Sequence, residues 1–238
     1  MFGNLIILDK LAWLKGLIGD DGTPIFIRAQ DNLVAPKMEK VVLYLGETSR
    51  KTNIDLFFGG SYQVAVECKL TEAEVGPCSR PRMKSNEANY DNEFCDGTYA
   101  KQRGRIEGCS LTQIGVKYWH HVPHFFRWDP LVDHDPCPLR TTYQLVRNVL
   151  AAGLKAKAGI EDEAEPSAGH AVLLYDERNP QFQEGGDGWQ AYNDVKNGLS
   201  NPRLLQFCTW QRVVGAMAGD KELAWLVHGL REKYGLEA

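Results

Sequence analysis

No stretch of this 238-residue chain is long and apolar enough to cross a bilayer, which takes about 20 consecutive apolar residues. An N-terminal apolar run, FGNLIILDKLAWLKGL, is interrupted by Asp9 and Lys10 and has no basic segment ahead of it, so a secretory signal is not expected either. A cytoplasmic location is the expectation that follows. Cysteine is sparse, six in all and without a C-x-x-C pair, which is too little for a disulfide scaffold; in that compartment thiols or metal ligands are expected. Positive charge is not in excess. A formal net charge of −4 excludes a basic protein that coats nucleic acid over its whole surface, and leaves room only for a local positive patch. Internal repeats and low-complexity tracts are lacking as well.

What is present is an ordinary globular composition, 43% hydrophobic and 24% charged, in a length that suits one domain over residues 1–238. Residues 1–19 have the spacing of an amphipathic helix, and the turn DDGTP follows. KVVLYLGE, NIDLFF and YQVAVECK read as three successive strands in a meander. From about 71 to 140 the pattern breaks down, and this stretch is too long for a simple loop. TTYQLVRNVLAAGLKAKAG then reads as a helix with a Thr cap at its start and Gly at its end. After the polar linker EDEAEPSAG come a buried strand HAVLLYDE, a short helix in QFQEGGDGWQAYNDVKNG, a further strand LLQFCTWQRVV, and the amphipathic helix DKELAWLVHGLREKYG. The sum is α/β: a central mixed sheet flanked by helices, carrying one long insert.

The hairpin NIDLFFGGSYQVAVECKLTE carries three charges that need a reason. Alternation puts Val64, Val66 and Cys68 on one face and Ala65, Glu67 and Lys69 on the other, with Ile54, Leu56 and Phe58 opposed to Asp55 and Phe57 in the preceding strand. A three-residue GGS loop would pair Phe58 with Tyr62, setting Asp55 opposite Ala65 and diagonal to Glu67. Two carboxylates so placed repel unless a cation lies between them. A divalent ion held by one or two carboxylates, a carbonyl and waters is the usual Mg²⁺ arrangement, and Lys69 could orient water or stabilise charge on a phosphate. The bland reading is a solvent-facing strand with a cross-strand ion pair.

An Asp, a hairpin, then Glu-x-Lys in the next strand and a helix after it resembles the signature of the PD-(D/E)XK nuclease superfamily, with Asp55 as the D and Glu67, Cys68 and Lys69 as the E-x-K. TNIDLFF, ECKLTE and the later YQLVRN resemble, more narrowly, bacterial restriction-endonuclease-like proteins of that superfamily. The resemblance implies a restriction-endonuclease-like core and Mg²⁺-dependent cleavage of DNA, with Mn²⁺ able to substitute. It implies Asp55, Glu67 and the main-chain carbonyl of Cys68 as metal ligands and Lys69 beside the nucleophilic water. Gln144 matches a polar residue recruited from the following helix, with Asn148 one turn on and Arg147 available for a phosphate. The sequence departs from the superfamily's name motif in having Ile54, not Pro, before the Asp.

Arg80, Arg82, Lys84, Lys101, Arg103 and Arg105 in the insert are candidate DNA contacts. The same insert holds Cys78, Cys95, Cys109, His120, His121, His124, His134 and Cys137, a set that could hold structural Zn²⁺ or, for the four cysteines, an iron–sulfur cluster as in some nucleases of the same broad superfamily. The spacings speak against either, and buried thiols are the expectation. In YWHHVPHFFRW the rings beside Lys117 and Arg127 could stack on bases, but packing of the insert onto the sheet is the expected use; Trp189, Trp210 and Trp225 are expected in the core.

Three functions are therefore in view. The first is a metal-dependent endonuclease acting on DNA, for which a homodimer would supply the two sites that two strands ask for. The others are a catalytically silent nucleic-acid-binding module of the same fold, and a metalloprotein whose Cys/His insert is the working part.

Overall fold

The computed structural model describes residues 11–26, 28, 36–41, 45–47, 53–78, 85–86, 95, 109–132, 136–155 and 163–237. Its centre is a five-stranded sheet of β1 (Lys37–Val41), β2 (Asn53–Phe58), β3 (Gln63–Lys69), β6 (Gly169–Tyr175) and β7 (Leu205–Thr209), in that spatial order. Two short strands pair separately: β4 (Leu154–Lys155), which replaces the end of the helix expected over 141–159, and β5 (Glu163–Ala164), in the stretch expected to be a linker. β1, β2 and β3 run antiparallel as the expected meander, although β1 starts three residues before the predicted KVVLYLGE and Leu45, Gly46 and Glu47 are not strand; β3, β6 and β7 run parallel, so the chain must cross over twice. Helix α3 (Leu139–Ala152) lies on the first crossover and α4 (Asp187–Gly198) on the second. Right-handed crossovers set both on one face of the sheet. There they meet α1 (Ser110–Gln113) and α2 (Tyr118–Phe125) of the insert, while α5 (Trp210–Ala218), α6 (Ala224–Tyr234) and the 3₁₀ turn Ala12–Gly16 cover the other face.

Two cores follow from alternation along the strands. Ala65, Ala171 and Leu173 pack with Trp119, Leu145, Val149 and Tyr192 on one side; Val64, Val66, Val172 and Leu174 pack with Leu14, Val213, Val214 and Met217 on the other. All seven residues of β6 are buried, as expected of a strand covered on both faces. A Leu173→Ala change would cost about 2–5 kcal/mol, because the close-packed surroundings close a cavity only in part.

Further details differ from the sequence reading. Of the amphipathic helix expected over 1–19, the described residues 11–19 form only the 3₁₀ turn Ala12–Gly16. Phe58 pairs with Val64, not Tyr62, because the connection is two residues longer than a GGS turn and bends at Gly60, whose φ is 130°. Helix α3 begins at Leu139 after Pro138, two residues before the predicted Thr cap; Thr142 instead donates its hydroxyl back to the Pro138 carbonyl at 2.5 Å. LLQFCTWQRVV is strand only to Thr209, whose side chain accepts the Arg212 N–H and so caps α5, leaving Val213, Val214 and Met217 at helical spacing. Trp225 is 54% exposed rather than in the core. The six basic residues at 80, 82, 84, 101, 103 and 105 lie outside the described residues, as does His134.

Candidate active site

The register brings the hairpin charges closer than expected. The β2–β3 ladder runs through Leu56 opposite Val66, and its continuation sets Asp55 across from Glu67 itself. The recorded pairing ends there, and the Asp55 side chain takes over: its Oδ2 accepts the Cys68 N–H at 2.7 Å. Glu67 is 2% exposed and points toward α3. Its Oε1 lies 3.0 Å from the Lys69 ammonium, and its Oε2 accepts from Asn148 at 2.9 Å and from Arg147 at 3.3 Å. Burial raises the Glu67 carboxyl above its ordinary range and the Asp55 carboxylate adds to this, while Lys69 and Arg147 oppose it.

Lys69 is held at both ends. Its ammonium donates to Gln144 Oε1 at 3.0 Å, and its carbonyl accepts from the Trp210 indole at 3.0 Å and from the Asp176 N–H at 3.2 Å. With Glu67 and Gln144 as two partners, the ammonium keeps a third donor. Gln144 is fixed in turn by Gly76, whose φ of 82° suits glycine and whose missing side chain leaves room: a Cβ there would sit 2.2 Å from the Gln144 amide carbon. Asp55, Glu67, Lys69 and Gln144 thus form one constellation. The Cys68 main chain lies within it through its N–H.

Asp55 and Glu67 stand across from each other in the continuation of the ladder, and the Asp55 charge makes Glu67 harder to ionise, a cost that a hard divalent ion held by both carboxylates would relieve. A model of the family described as "Restriction Endonuclease associating with ARP" matches residues 18–235, nearly the whole chain. The chain belongs to this family. No curated protein and no solved structure matches it. The mixed sheet with its flanking helices is thus the fold of a restriction-endonuclease-like family member.

In this family member the side chain of Arg147 does not have the expected place. It is fully buried against Glu67, with its Nε on Asn148 Oδ1 at 3.0 Å, so it is turned inward and not toward a DNA phosphate. Sequence reasoning also missed Glu47. This carboxylate is 1% exposed, and its Oε1 accepts the hydroxyls of Tyr143, at 2.8 Å, and Tyr118. Burial pushes both phenols up, with the Glu47 charge contributing, so they remain donors at neutral pH and tie α3 and α2 to the segment that follows β1. A glutamate at the edge of a polar tract carries no signal of this. Trp210, expected as plain core, is half-buried and acts through its N–H on Lys69.

The described members of the Cys/His set gather into no such centre. Among the described residues no three His, Cys, Asp or Glu side chains lie together as a structural zinc or iron–sulfur site requires, and Cys95, Cys109 and Cys137 are buried in the helix-side core. Tyr118, Trp119, Phe125 and Phe126 are buried there too, so most of the YWHHVPHFFRW rings pack onto the sheet. No helix among the described residues is long and apolar enough to cross a membrane.

Proposed function

We propose that this restriction-endonuclease-like protein hydrolyses DNA phosphodiester bonds at a metal site of PD-(D/E)XK type, with Asp55, Glu67 and the Cys68 main-chain carbonyl as the ligands of Mg²⁺ or Mn²⁺. The observation that carries this reading is the buried junction of Glu67, Lys69 and Gln144 across β3 and α3, with Asp55 opposite. A bare structural ion pair needs no second carboxylate raising its cost, and no amide from a separate helix to orient the lysine.

Bound there, the metal supplies Lewis-acid polarisation and a water of lowered pKa. The chain's residues do the rest. Glu67 is held by Asn148 and Arg147, so its free orbital direction is set before a ligand arrives. Lys69, oriented by Gln144, places its remaining N–H donor where negative charge gathers on a phosphate or on an attacking water. Asp55, anchored by Cys68, keeps its other oxygen for the cation. Two such sites in a homodimer would cut both strands.

Plasmid nicking by the purified chain with Mg²⁺, Mn²⁺ or EDTA, beside Glu67→Gln and Lys69→Met variants shown to be folded by circular dichroism, tests this. Metal-dependent nicking lost in both variants supports it; nicking that survives either substitution refutes the assignment. Inert wild-type protein on duplex, branched and single-stranded DNA would favour the silent binding module.

A further inference from the structure

A cleft of about 690 Å³ opens beside the start of α3, lined by Arg127 and Trp128 after α2, by Arg140 and Thr141 in the first turn of α3, and by Asp194 and Asn197 of α4. We propose that it holds one unstacked nucleotide of a DNA strand, with the base on Trp128 and the adjoining phosphates on Arg127 and Arg140. The presence of a strand rests on the nuclease reading; the chemistry of the cleft does not.

Four observations converge on this. Arg127 and Arg140 are exposed, arise from different elements, and form no ion pair among the described residues, so two guanidinium groups face a concavity whose lining holds one carboxylate, Asp194. Asp194 accepts from Gln190 at 2.7 Å, and its charge leaves the lining with an excess of one positive charge. Guanidinium forks suit phosphate oxygens, and two of them on one pocket imply an anion.

Trp128 is set rigidly. Its indole stacks on Phe126 with centroids 4.3 Å apart and planes 13° from parallel, and the lack of a side chain at Gly198 admits it: a Cβ there would lie 2.6 Å from the indole nitrogen. The Arg127 N–H donates to the Gly198 carbonyl at 2.9 Å, and the Ser200 N–H to the Phe125 carbonyl at 2.8 Å, which locks this corner of the insert to the end of α4. An aromatic platform held in advance loses little freedom when a base stacks on it. Thr141 and Asn197 supply donors and acceptors at the rim for a base edge, and the volume falls within the roughly 300–1,000 Å³ of small-molecule sites.

Position completes the case. Arg140 and Gln144 are four residues apart on α3, hence on one face and about 6 Å apart along its axis. Gln144 holds Lys69, so Arg140 of the cleft lies one helical turn of α3 before the residue that orients the proposed catalytic lysine.

The test is binding of a short single-stranded oligonucleotide to the full chain by fluorescence anisotropy in EDTA, so that cleavage plays no part. Arg127→Ala with Arg140→Ala should weaken binding about tenfold or more and lower the log-salt slope by about 1.4. Trp128→Leu should weaken binding about tenfold to an ordinary strand and leave an abasic strand unaffected. Binding within about twofold of wild type in both variants, or an equal loss on both strands for Trp128→Leu, overturns the proposal. Deoxyadenosine monophosphate should compete only at far higher concentration than the oligonucleotide; equal affinity would make a free nucleotide the occupant and overturn the strand assignment. Cleft-dependent binding without plasmid nicking sustains this inference and sinks the nuclease, nicking with cleft-independent binding does the reverse, and neither binding nor nicking overturns both.

Discussion

Replacing Arg147 with Met keeps an unbranched stem of similar reach and removes only the guanidinium. In the wild type that group sits 3.3 Å from Glu67 Oε2 and 3.0 Å from Asn148 Oδ1, fully buried, and its second terminal nitrogen has no hydrogen-bond partner among the described residues. Breaking a buried ion pair by removing one partner costs about 3–5 kcal/mol when the other charge is stranded. Glu67 would not be stranded, because Asn148 and Lys69 remain at 2.9 and 3.0 Å. The substitution also relieves the burial of the unpartnered nitrogen, worth about 1–3 kcal/mol. The balance is a loss of about 1–3 kcal/mol, and at about 2–4 °C per kcal/mol for a chain of this size the melting temperature should fall by several degrees. Arg147 is one of the charges that hold the Glu67 carboxyl down against burial, so its removal should raise that carboxyl further. Metal binding and cleavage need the ionised form, and their acid limb should therefore move to higher pH. Thermal melts in EDTA and a pH profile of nicking in Mn²⁺ read the two effects. A variant as stable as wild type, with an unmoved acid limb, would refute the reasoning, and a double-mutant cycle with Glu67→Gln should show that the two changes do not add.

Gly76→Ala forces a Cβ into the Gln144 side chain from a backbone with φ of 82°; a stability loss of about 1–2 kcal/mol and a drop in nicking are expected, with chemical denaturation and initial rates as the readouts. Trp210→Phe removes the N–H that meets the Lys69 carbonyl at 3.0 Å and should slow cleavage while leaving metal affinity, measured by calorimetry, unchanged. His170 is buried, bonded through Nδ1 to the Tyr62 hydroxyl at 2.9 Å, and burial together with the Arg28 charge lowers it to about 4. Its folded value lies below the ordinary one, so the unfolded chain binds the extra proton first and stability falls as pH drops from about 6.5 toward 4, by up to about 3 kcal/mol. Urea denaturation at pH 7 and pH 4.5 should show that His170→Gln removes much of this dependence; an equal slope in both proteins would contradict it.

Much of the fold was legible because period-two alternation and apolar β6 leave few alternatives: NIDLFF and YQVAVECK could only be a hairpin, and GHAVLLY only a strand covered on both sides. The faces of Glu67 and Lys69 followed from the same alternation. The register did not, since a slip of two residues preserves every face and is decided by the loop, where Gly59, Gly60 and Ser61 permit more than one length. The junction at Trp210 was misread because TWQRVV is rich in β-formers, and only the Thr209 cap marks the switch to helix. Long-range pairings were out of reach in principle. Glu47 meets Tyr118 and Tyr143 across 71 and 96 residues of chain, and nothing local to any of them records the partnership. Arg147 was misjudged because a guanidinium on an amphipathic helix usually faces water, and burial here is compensated by a carboxylate from a distant strand.

The central claim is that Asp55 and Glu67 together hold one divalent ion. Calorimetric titration of the full chain with Mn²⁺ at pH 7.5, beside Asp55→Asn and Glu67→Gln, tests it without any substrate. One site per chain is expected, lost or weakened at least about tenfold in each variant, a change of about 1.4 kcal/mol or more. Mn²⁺ binding that is unchanged in both variants would contradict it.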